Sequence, residues 1–376
     1  MLFGQEIERI AARIKEEEEK KREFADIIKK LRDKIEIKEV DDERVPVIDE
    51  KLIVSVGENF YRPQSVAGVD GGLLAREYHG IDIILTRAVG VIFHYDDQWR
   101  LVETEYHPKP NPFPWVKVVS DPLSEPEFRI LASIERQATE LRVAEQIASK
   151  YSPEIILMDG SICPHPAFKP PSDSQLKDDY NRLIMCYKDL YKAAIKNNVV
   201  LAGVVEDSRA NKFNITVTDT ILPALNSTIR KSLKTTAEYV RNSRDTHFLY
   251  YLLDRGERTF TFKYSTNRQN PIMRDISPWS PHIYSFYLKT ANYDRPLRID
   301  FVSKDKNITA VANRIASSLL FLSCHHSVYG IPTILIECDS RAKLRREDID
   351  FIYAAISDKV GKLPSMFELR RNIRPF

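Results

Sequence analysis

The chain has 376 residues, of which 43% are hydrophobic, so it can bury the core of one large domain or of two. Its net charge of +2 is too small for the protein as a whole to attract an anionic partner, so any surface that binds nucleic acid must be a local basic patch. Its four cysteines form no CxxC pair, its N-terminus is charged, and no apolar run reaches the roughly 20 residues of a membrane span. These features predict a cytoplasmic protein that does not associate with membranes.

The N-terminal region predicts a long helix over residues 7–35. Apolar residues recur at helical spacing at both ends, and every residue of the segment 16–23 between them is charged. A helix that is charged all round cannot be buried along its length. We expect a solvated arm that packs only at its ends, with a dimer or partner contact as the alternative. The polar segment 41–46 ends in proline and predicts a boundary between a helical region, 1–45, and one domain, 46–376.

The next part of the chain predicts strands at 51–56, 66–69, 81–93 and 100–106, because these runs are β-branched and aromatic and are separated by turn residues. We expect an antiparallel meander that starts with the strand before Asp70. A proline-rich segment, 108–114, then predicts a loop or an extended crossing.

From residue 125 onward, helical and strand patterns alternate. A helix is predicted over 125–150, a strand over 155–158, a helix over 178–196 and a strand over 199–205. Such alternation favours parallel pairing with helices on the faces of the sheet, and therefore an α/β fold with a mixed sheet. The remaining predicted elements are strands at 259–264, 282–288, 297–302 and 332–336, and helices at 307–323 and 346–360.

Acidic residues follow several of these strands. The apolar runs before Asp70 and Asp159 each lead to an aspartate followed by glycine, and we expect each strand to end there because glycine permits a sharp turn. Asp339 follows the predicted strand 332–336. Hard divalent cations prefer carboxylate oxygens, so the pattern predicts a metal site. The alternative is that each Asp-Gly pair is only a turn.

The helix predicted over 125–150 carries Glu135, Glu140 and Glu145, and one of them near the inner face could reach the same site. Three or four carboxylates around two cations about 3.5–4 Å apart would orient a water and stabilise the leaving oxygen in phosphodiester cleavage. Without metal, such carboxylates would raise at least one pKa. Arg209 and Lys212 follow the strand 199–205, where they could contact phosphate or remain solvated.

A series of short motifs points to a known family. The motifs occupy residues 67–72, 156–161, 201–205, 218–220, 286–289, 298–300 and 330–332. In this order and spacing the chain resembles the NurA nucleases of archaea and some bacteria, from about residue 60 onward. The resemblance implies an RNase H-like core and a manganese- or magnesium-dependent DNase that acts on DNA ends as a 5′–3′ exonuclease, with endonuclease action as a further implication. It also implies a homodimer that docks on a HerA-type hexameric translocase in end resection during DNA repair.

The resemblance assigns roles to individual residues. Asp70 matches the first metal-binding aspartate and Asp159 the later one. Glu140 is the best match to the family's helix glutamate, with Glu135 as the alternative. The resemblance therefore implies that Asp70, Asp159 and Glu140 hold the metal, and we expect Asp339 to join these catalytic residues.

The chain departs from the family pattern near its end. The family's tyrosine before the proline and the histidine shortly after it correspond to Ile331 and Asp339 here. Aspartate can still ligate a cation or orient water, whereas isoleucine can do neither. The chain is therefore either a divergent active nuclease or a catalytically weakened subunit that binds DNA and the translocase. A nucleotide-hydrolysing enzyme of the actin and sugar-kinase type is disfavoured, because the chain is short for that duplicated architecture.

Overall fold

The computed structural model describes residues 2–32, 35, 37, 47–57, 61–121, 123–225, 227–265, 270–361 and 363–372. The chain divides into two compact units, each built from three segments. Unit 1 consists of Met1–Arg62, Gly203–Gln269 and Ser280–Pro332, and unit 2 of Pro63–Ala202, Asn270–Trp279 and Thr333–Phe376. The boundary predicted at 41–46 lies outside the described residues.

The helices and strands follow in chain order as α1 (Leu2–Leu31), β1 (Ile53–Ser55), β2 (Ser65–Glu77), β3 (Asp82–Tyr95), β4 (Leu101–His107), β5 (Trp115–Val119), α2 (Glu125–Lys150), β6 (Ile155–Asp159), α3 (Lys177–Lys196), β7 (Val200–Val205), α4 (Lys212–Thr216), α5 (Leu222–Ala224), α6 (Ser227–Arg241), α7 (Asp245–Leu252), β8 (Glu257–Thr259), β9 (Phe262–Lys263), α8 (Pro271–Asp275), β10 (Ile283–Leu288), β11 (Leu297–Val302), α9 (Ile308–Leu322), α10 (Thr333–Ala342) and α11 (Arg346–Val360). A π-helical segment, Val217–Ile221, joins α4 to α5. None of the described helices is both long enough and apolar enough to cross a membrane.

Unit 2 contains the predicted meander. β2, β3 and β4 pair antiparallel in chain order, and β6 lies parallel to β2 on its other side. β5, which was not predicted, pairs with the first half of β3. The mixed sheet flanked by helices is therefore confirmed, and so is the N-terminal helix.

The strand that carries Asp70 does not end there, which corrects the prediction. All 13 residues of β2 pair with β3, so Gly71 and Gly72 lie within the strand rather than in a turn. Both glycines are required because neighbours approach closely. A Cβ on Gly71 would lie 2.5 Å from Cγ of Glu140, and one on Gly72 would lie 2.2 Å from the carbonyl oxygen of Ala342. Since adjacent strand residues face opposite sides, α2 and α10 cover opposite faces of β2.

The other strand behaves as expected, because β6 ends at Asp159 and Gly160 follows it with a φ of +88°. This left-handed backbone conformation strongly favours glycine, so Gly160 serves the turn that the sequence predicted.

The prediction of a strand over 332–336 is wrong. This segment lies in the helix α10, which also carries Asp339. The prediction relied on a short β-branched run. Such a run is too short to show whether its apolar residues recur with the period of a strand or of a helix. The buried residues of α10 are Ile334, Leu335, Cys338 and Ala342, and their spacing is helical. Helical packing of this stripe on β2 and β3 overrides the β propensity of the run.

In unit 1, the second half of α1 packs against α6 and α7 and buries Phe24, Ala25 and Ile28. The first half is exposed, so the arm packs at one end rather than at both ends. Strands β8, β9, β10 and β11 of this unit pair antiparallel. The core between these elements includes the buried rings of Phe248, Phe260 and Tyr287, among other apolar residues.

Candidate metal centre

Asp70 and Asp159 lie side by side in unit 2. β2 and β6 are parallel, and Val69 pairs with Met158, so the next residue of each strand is an aspartate. Asp70 Oδ1 accepts a hydrogen bond from the backbone N–H of Gly71 at 2.6 Å. The two carboxyl groups also share a hydrogen bond. The structure thus brings together the two aspartates that the sequence singled out.

Burial and mutual repulsion perturb both carboxyl groups. Burial raises the pKa of Asp70 to about 7, and the negative charge of Asp159 adds to this effect. Burial also raises the pKa of Asp159, whereas the guanidinium of Arg136 opposes the rise. A pair of carboxylates that resists ionisation together is a favourable place for a cation, because a bound cation removes the repulsion.

Asp339 contributes a third negative charge. It is exposed on α10, and its charge raises the pKa of both Asp70 and Asp159. The preceding residue, Cys338, is buried and packs against β2: a Cβ added to Gly68 would lie 3.0 Å from the Sγ of Cys338. Burial raises the pKa of the Cys338 thiol, so it remains protonated.

Glu140 is the glutamate of α2 that lies near the aspartates. It is 1% exposed, and burial raises its pKa to about 8. Both of its carboxylate oxygens accept hydrogen bonds from its own helix: Arg136 Nη1 donates to Oε1 at 2.8 Å, and Gln137 Nε2 donates to Oε2 at 2.9 Å. Glu140 therefore holds Arg136 in place beside Asp70 and Asp159.

The other two glutamates of α2 have different partners. Glu135 accepts hydrogen bonds from Lys117 and Arg182, each at 2.6 Å. Glu145 accepts a hydrogen bond from Ser149 at 2.9 Å. The sequence left open which of these three glutamates lies near the aspartates. Of the three, only Glu140 interacts electrostatically with Asp70 and Asp159.

Sequence reasoning missed Arg136. Its guanidinium interacts electrostatically with Glu140, Asp70 and Asp159, and its Nη1 lies 3.5 Å from the carbonyl oxygen of Gly71. The available signal was its i,i+4 spacing from Glu140, which predicts an ion pair on one helix face. That spacing alone does not show that the pair faces the aspartates.

The aspartate pair fits a hard, hydrated cation. Among the described residues, no group of three or more His, Cys, Asp or Glu side chains is arranged to hold a metal ion. Mg²⁺ characteristically keeps several waters and uses only one or two carboxylates, and Mn²⁺ suits the same oxygen ligands. Asp70 and Asp159 meet that requirement. Glu140 is engaged by Arg136 and Gln137, and Asp339 lies on the solvent side.

The two cations expected to contact nucleic acid belong to unit 1. Lys212 begins α4, and its Nζ donates to the carbonyl oxygens of Lys263 at 2.7 Å and Tyr264 at 2.9 Å. Burial lowers its pKa to about 8. Arg209 is exposed. A contact with phosphate by either residue stays a prediction.

The NurA domain model matches residues 64–344. The crystal structure of the NurA nuclease from Sulfolobus solfataricus has a TM-score of 0.52 and 14% identity, and the match covers 93% of this chain and 94% of that one. A NurA structure bound to dAMP and manganese has a TM-score of 0.46 and 11% identity, covering 97% and 99%. No curated protein matches the sequence. The likeness to the Sulfolobus solfataricus structure supports the expected α/β fold with a mixed sheet.

Proposed function

The chain belongs to the NurA family, whose domain model spans residues 64–344, and we propose that it is a metal-dependent DNA nuclease. One observation carries the proposal: the adjacent carboxyl groups of Asp70, which is buried, and Asp159, which is half-buried, at neighbouring positions of parallel strands. The Sulfolobus solfataricus relative is a NurA nuclease. The expected cofactor is Mn²⁺ or Mg²⁺, and manganese is the metal in the NurA structure that contains dAMP.

In this mechanism Asp70 and Asp159 would hold the cation through their carboxylate oxygens, and Asp339 would orient water from the solvent side or join them as a further ligand. When bound, the metal activates water and stabilises the negative charge that develops on the phosphodiester. Glu140 is a positioning residue because its carboxylate holds the guanidinium of Arg136 at 2.8 Å. Arg136 in turn balances the negative charge of the two aspartates.

The resemblance to the family supports a proposal for the biological setting. We propose that the chain cuts at DNA ends as a 5′–3′ exonuclease, with endonuclease action as a second activity. It would do so as a homodimer, together with a HerA-type hexameric translocase, during end resection. Arg209 and Lys212 are proposed contacts for backbone phosphates, so DNA binding should weaken as salt increases.

The first half of α1 is the proposed contact with the second copy or with the translocase. Phe3, Ile7, Ile10 and Ile14 recur at helical spacing and are 81%, 50%, 46% and 56% exposed. An apolar stripe of this kind on a solvated helix is a favourable surface for a partner helix.

A catalytically weakened subunit is the second candidate function. Two observations favour it: Ile331, at the position of the family's tyrosine, is only 4% exposed, and an exposed aspartate, Asp339, corresponds to the family's histidine. Such a subunit would bind DNA and the translocase without efficient cleavage.

The two candidates are separated by incubating linear duplex and single-stranded DNA with the purified protein and Mn²⁺, using substrates labelled at the 5′ or the 3′ end. The proposed nuclease shortens both the labelled and the unlabelled strands, and EDTA abolishes the reaction. The label that is released first reports the polarity. Intact DNA in the presence of Mn²⁺, with the translocase added, would instead support the weakened subunit.

A further inference from the structure

Unit 2 contains a cleft of about 440 Å³ between the proline-rich segment 109–114 and the first half of α11. Two phenylalanines, Phe113 and Phe351, and three cations, Arg87, Lys109 and Arg345, are among its lining residues. We call it the Phe113–Phe351 cleft. Its volume lies within the roughly 300–1,000 Å³ of typical small-molecule sites.

Both phenylalanine rings face solvent on rigid supports. Phe113 is 61% exposed and Phe351 is 64% exposed. Pro112 and Pro114 flank Phe113, and proline both fixes its own φ and confines the preceding residue to extended conformations. Phe351 lies on α11, which Ile352 anchors in a buried cluster. Because the backbone that carries each ring is already fixed, less entropy is lost when the rings bind a partner.

Cations surround the two rings. Lys109 and Arg345, which line the cleft, are exposed. Arg87 is held at the base, where its Nη1 donates to the carbonyl oxygen of Lys343 at 3.0 Å.

Two acids, Glu347 and Asp348, also line the cleft. Asp348 is already engaged, because it accepts a hydrogen bond from the backbone N–H of Arg345 at 2.7 Å and lies 3.5 Å from Arg87. Cations therefore outnumber acids around the rings.

The register of β2 and β3 connects this cleft to the aspartates. Asp70 pairs with Val89 and Gly72 pairs with Arg87, so Arg87 is the diagonal cross-strand neighbour of Asp70 and points to the same face. Such diagonal neighbours are about 7–8 Å apart. α10, which carries Asp339, lies on this face and leads directly to Arg345.

We propose that the Phe113–Phe351 cleft binds single-stranded nucleic acid and delivers the unpaired strand toward Asp70 and Asp159. Phe113 and Phe351 stack on bases, and Lys109 and Arg345 contact phosphates. Exposed aromatic rings among cations are the chemistry that recognises single strands, because in a duplex the base faces are already stacked on each other. The delivery step rests on the proposed nuclease function, whereas the binding step does not.

The test measures fluorescence anisotropy of a labelled oligo(dT) with the full-length protein in EDTA, where no cleavage occurs. Phe113→Ala and Phe351→Ala should each weaken binding by about 5-fold or more, as expected for the loss of one stacked base. Phe367→Ala is the matched control, because Phe367 also belongs to unit 2, is 55% exposed and lies outside the cleft. Lys109→Ala should reduce the steepness of the plot of log affinity against log salt concentration by about 1, which corresponds to the loss of one phosphate contact.

A second variant separates stacking from folding. Phe351→Trp should retain binding, and its added fluorescence should be quenched by the oligonucleotide. Wild type that fails to bind oligo(dT) in EDTA, or alanine variants that bind as tightly as Phe367→Ala, would overturn the proposal. Variants that keep oligonucleotide binding but lose a protein partner would overturn it in favour of protein docking.

Failure of the cleft and failure of the nuclease are distinguishable. Binding in EDTA without cleavage in Mn²⁺ would contradict the proposed nuclease and leave the cleft intact. Cleavage in Mn²⁺ by alanine variants whose binding is unchanged would contradict the cleft alone.

Discussion

At Arg136 a guanidinium interacts with three carboxyl groups at once, those of Glu140, Asp70 and Asp159. Glu140 is buried, and its ion pair with Arg136 is an i,i+4 contact on α2 at 2.8 Å. Removing one partner of a buried ion pair is costly, because the other is left charged without compensation. Arg136 therefore stabilises the fold as well as the proposed site.

We expect Arg136→Met to lower the free energy of unfolding by about 3 kcal/mol in metal-free buffer at about pH 9, where Glu140 is ionised because the pH exceeds its pKa of about 8, measured by urea denaturation. The double variant Arg136→Met/Glu140→Gln removes the orphaned charge as well, so it should recover most of the loss. A double variant as unstable as Arg136→Met would show that the buried carboxyl of Glu140 is not the cause.

The pKa of Asp70 predicts how stability depends on pH in EDTA. Its value of about 7 in the folded chain lies above the ordinary 3.8. Between these values the native state holds a proton that the unfolded state releases, so the free energy of unfolding falls as pH rises. This contribution is fully present below about pH 4 and is lost above about pH 7.

We therefore expect Asp70→Asn to flatten the stability profile between pH 5 and pH 8, measured by urea denaturation in EDTA. At pH 8 the variant should be more stable than the metal-free wild type by about 1 kcal/mol or more, because one buried repulsive charge is gone. Parallel profiles for the two proteins would contradict the raised pKa.

At the scale of elements, Gly72 allows α10 to approach β2. A Cβ there would lie 2.2 Å from the carbonyl oxygen of Ala342, a backbone atom that cannot move without the helix. Gly72→Ala should therefore lower the free energy of unfolding by about 2 kcal/mol or more. Gly57→Ala is the control, since a Cβ on Gly57 meets no heavy atom within 4 Å. Equal stability of the two variants, measured by thermal unfolding, would contradict this packing.

The first half of α1 predicts a different behaviour. Ile7, Ile10 and Ile14 are exposed, so removing residues 1–14 should leave the free energy of unfolding almost unchanged. If the stripe is the dimer contact, the truncated protein should be a monomer by light scattering where the full chain is a dimer. A truncated dimer would exclude α1 as that contact, and a pull-down would then test the translocase.

Several elements could be predicted because local patterns decide them. α2 has the bounds that its apolar stripe predicted, and β6 ends at Asp159 because a glycine with positive φ follows. α10 could not be predicted from its β-branched start, because packing on the sheet decides its conformation. β5 was missed because its five residues directly follow the proline-rich segment, and β3 provides the pairing.

The candidate metal centre could likewise be predicted only in part. Asp70 and Asp159 could be placed together because parallel neighbouring strands bring equivalent positions side by side. Arg136 could not, because its role depends on which face of α2 meets Gly71. The closeness of Glu140 to Gly71 is likewise a tertiary contact that no local pattern contains.

At the scale of the whole molecule, the candidate metal centre and the Phe113–Phe351 cleft both belong to unit 2, whereas the α1 stripe belongs to unit 1. The proposed chemistry and the cleft are thus assigned to unit 2, and the proposed partner contact is assigned to unit 1 together with the proposed phosphate contacts Arg209 and Lys212. Substitutions in the two units should therefore affect cleavage and partner binding separately.

The central claim is that Asp70 and Asp159 carry metal-dependent DNA cleavage. The most direct measurement is the rate of Mn²⁺-dependent cleavage of end-labelled linear DNA by wild type, Asp70→Asn, Asp159→Asn and the exposed control Asp121→Asn. We predict that the first two variants lose about 100-fold or more in rate, while Asp121→Asn cleaves as wild type does. Undiminished cleavage by Asp70→Asn or Asp159→Asn would contradict the account.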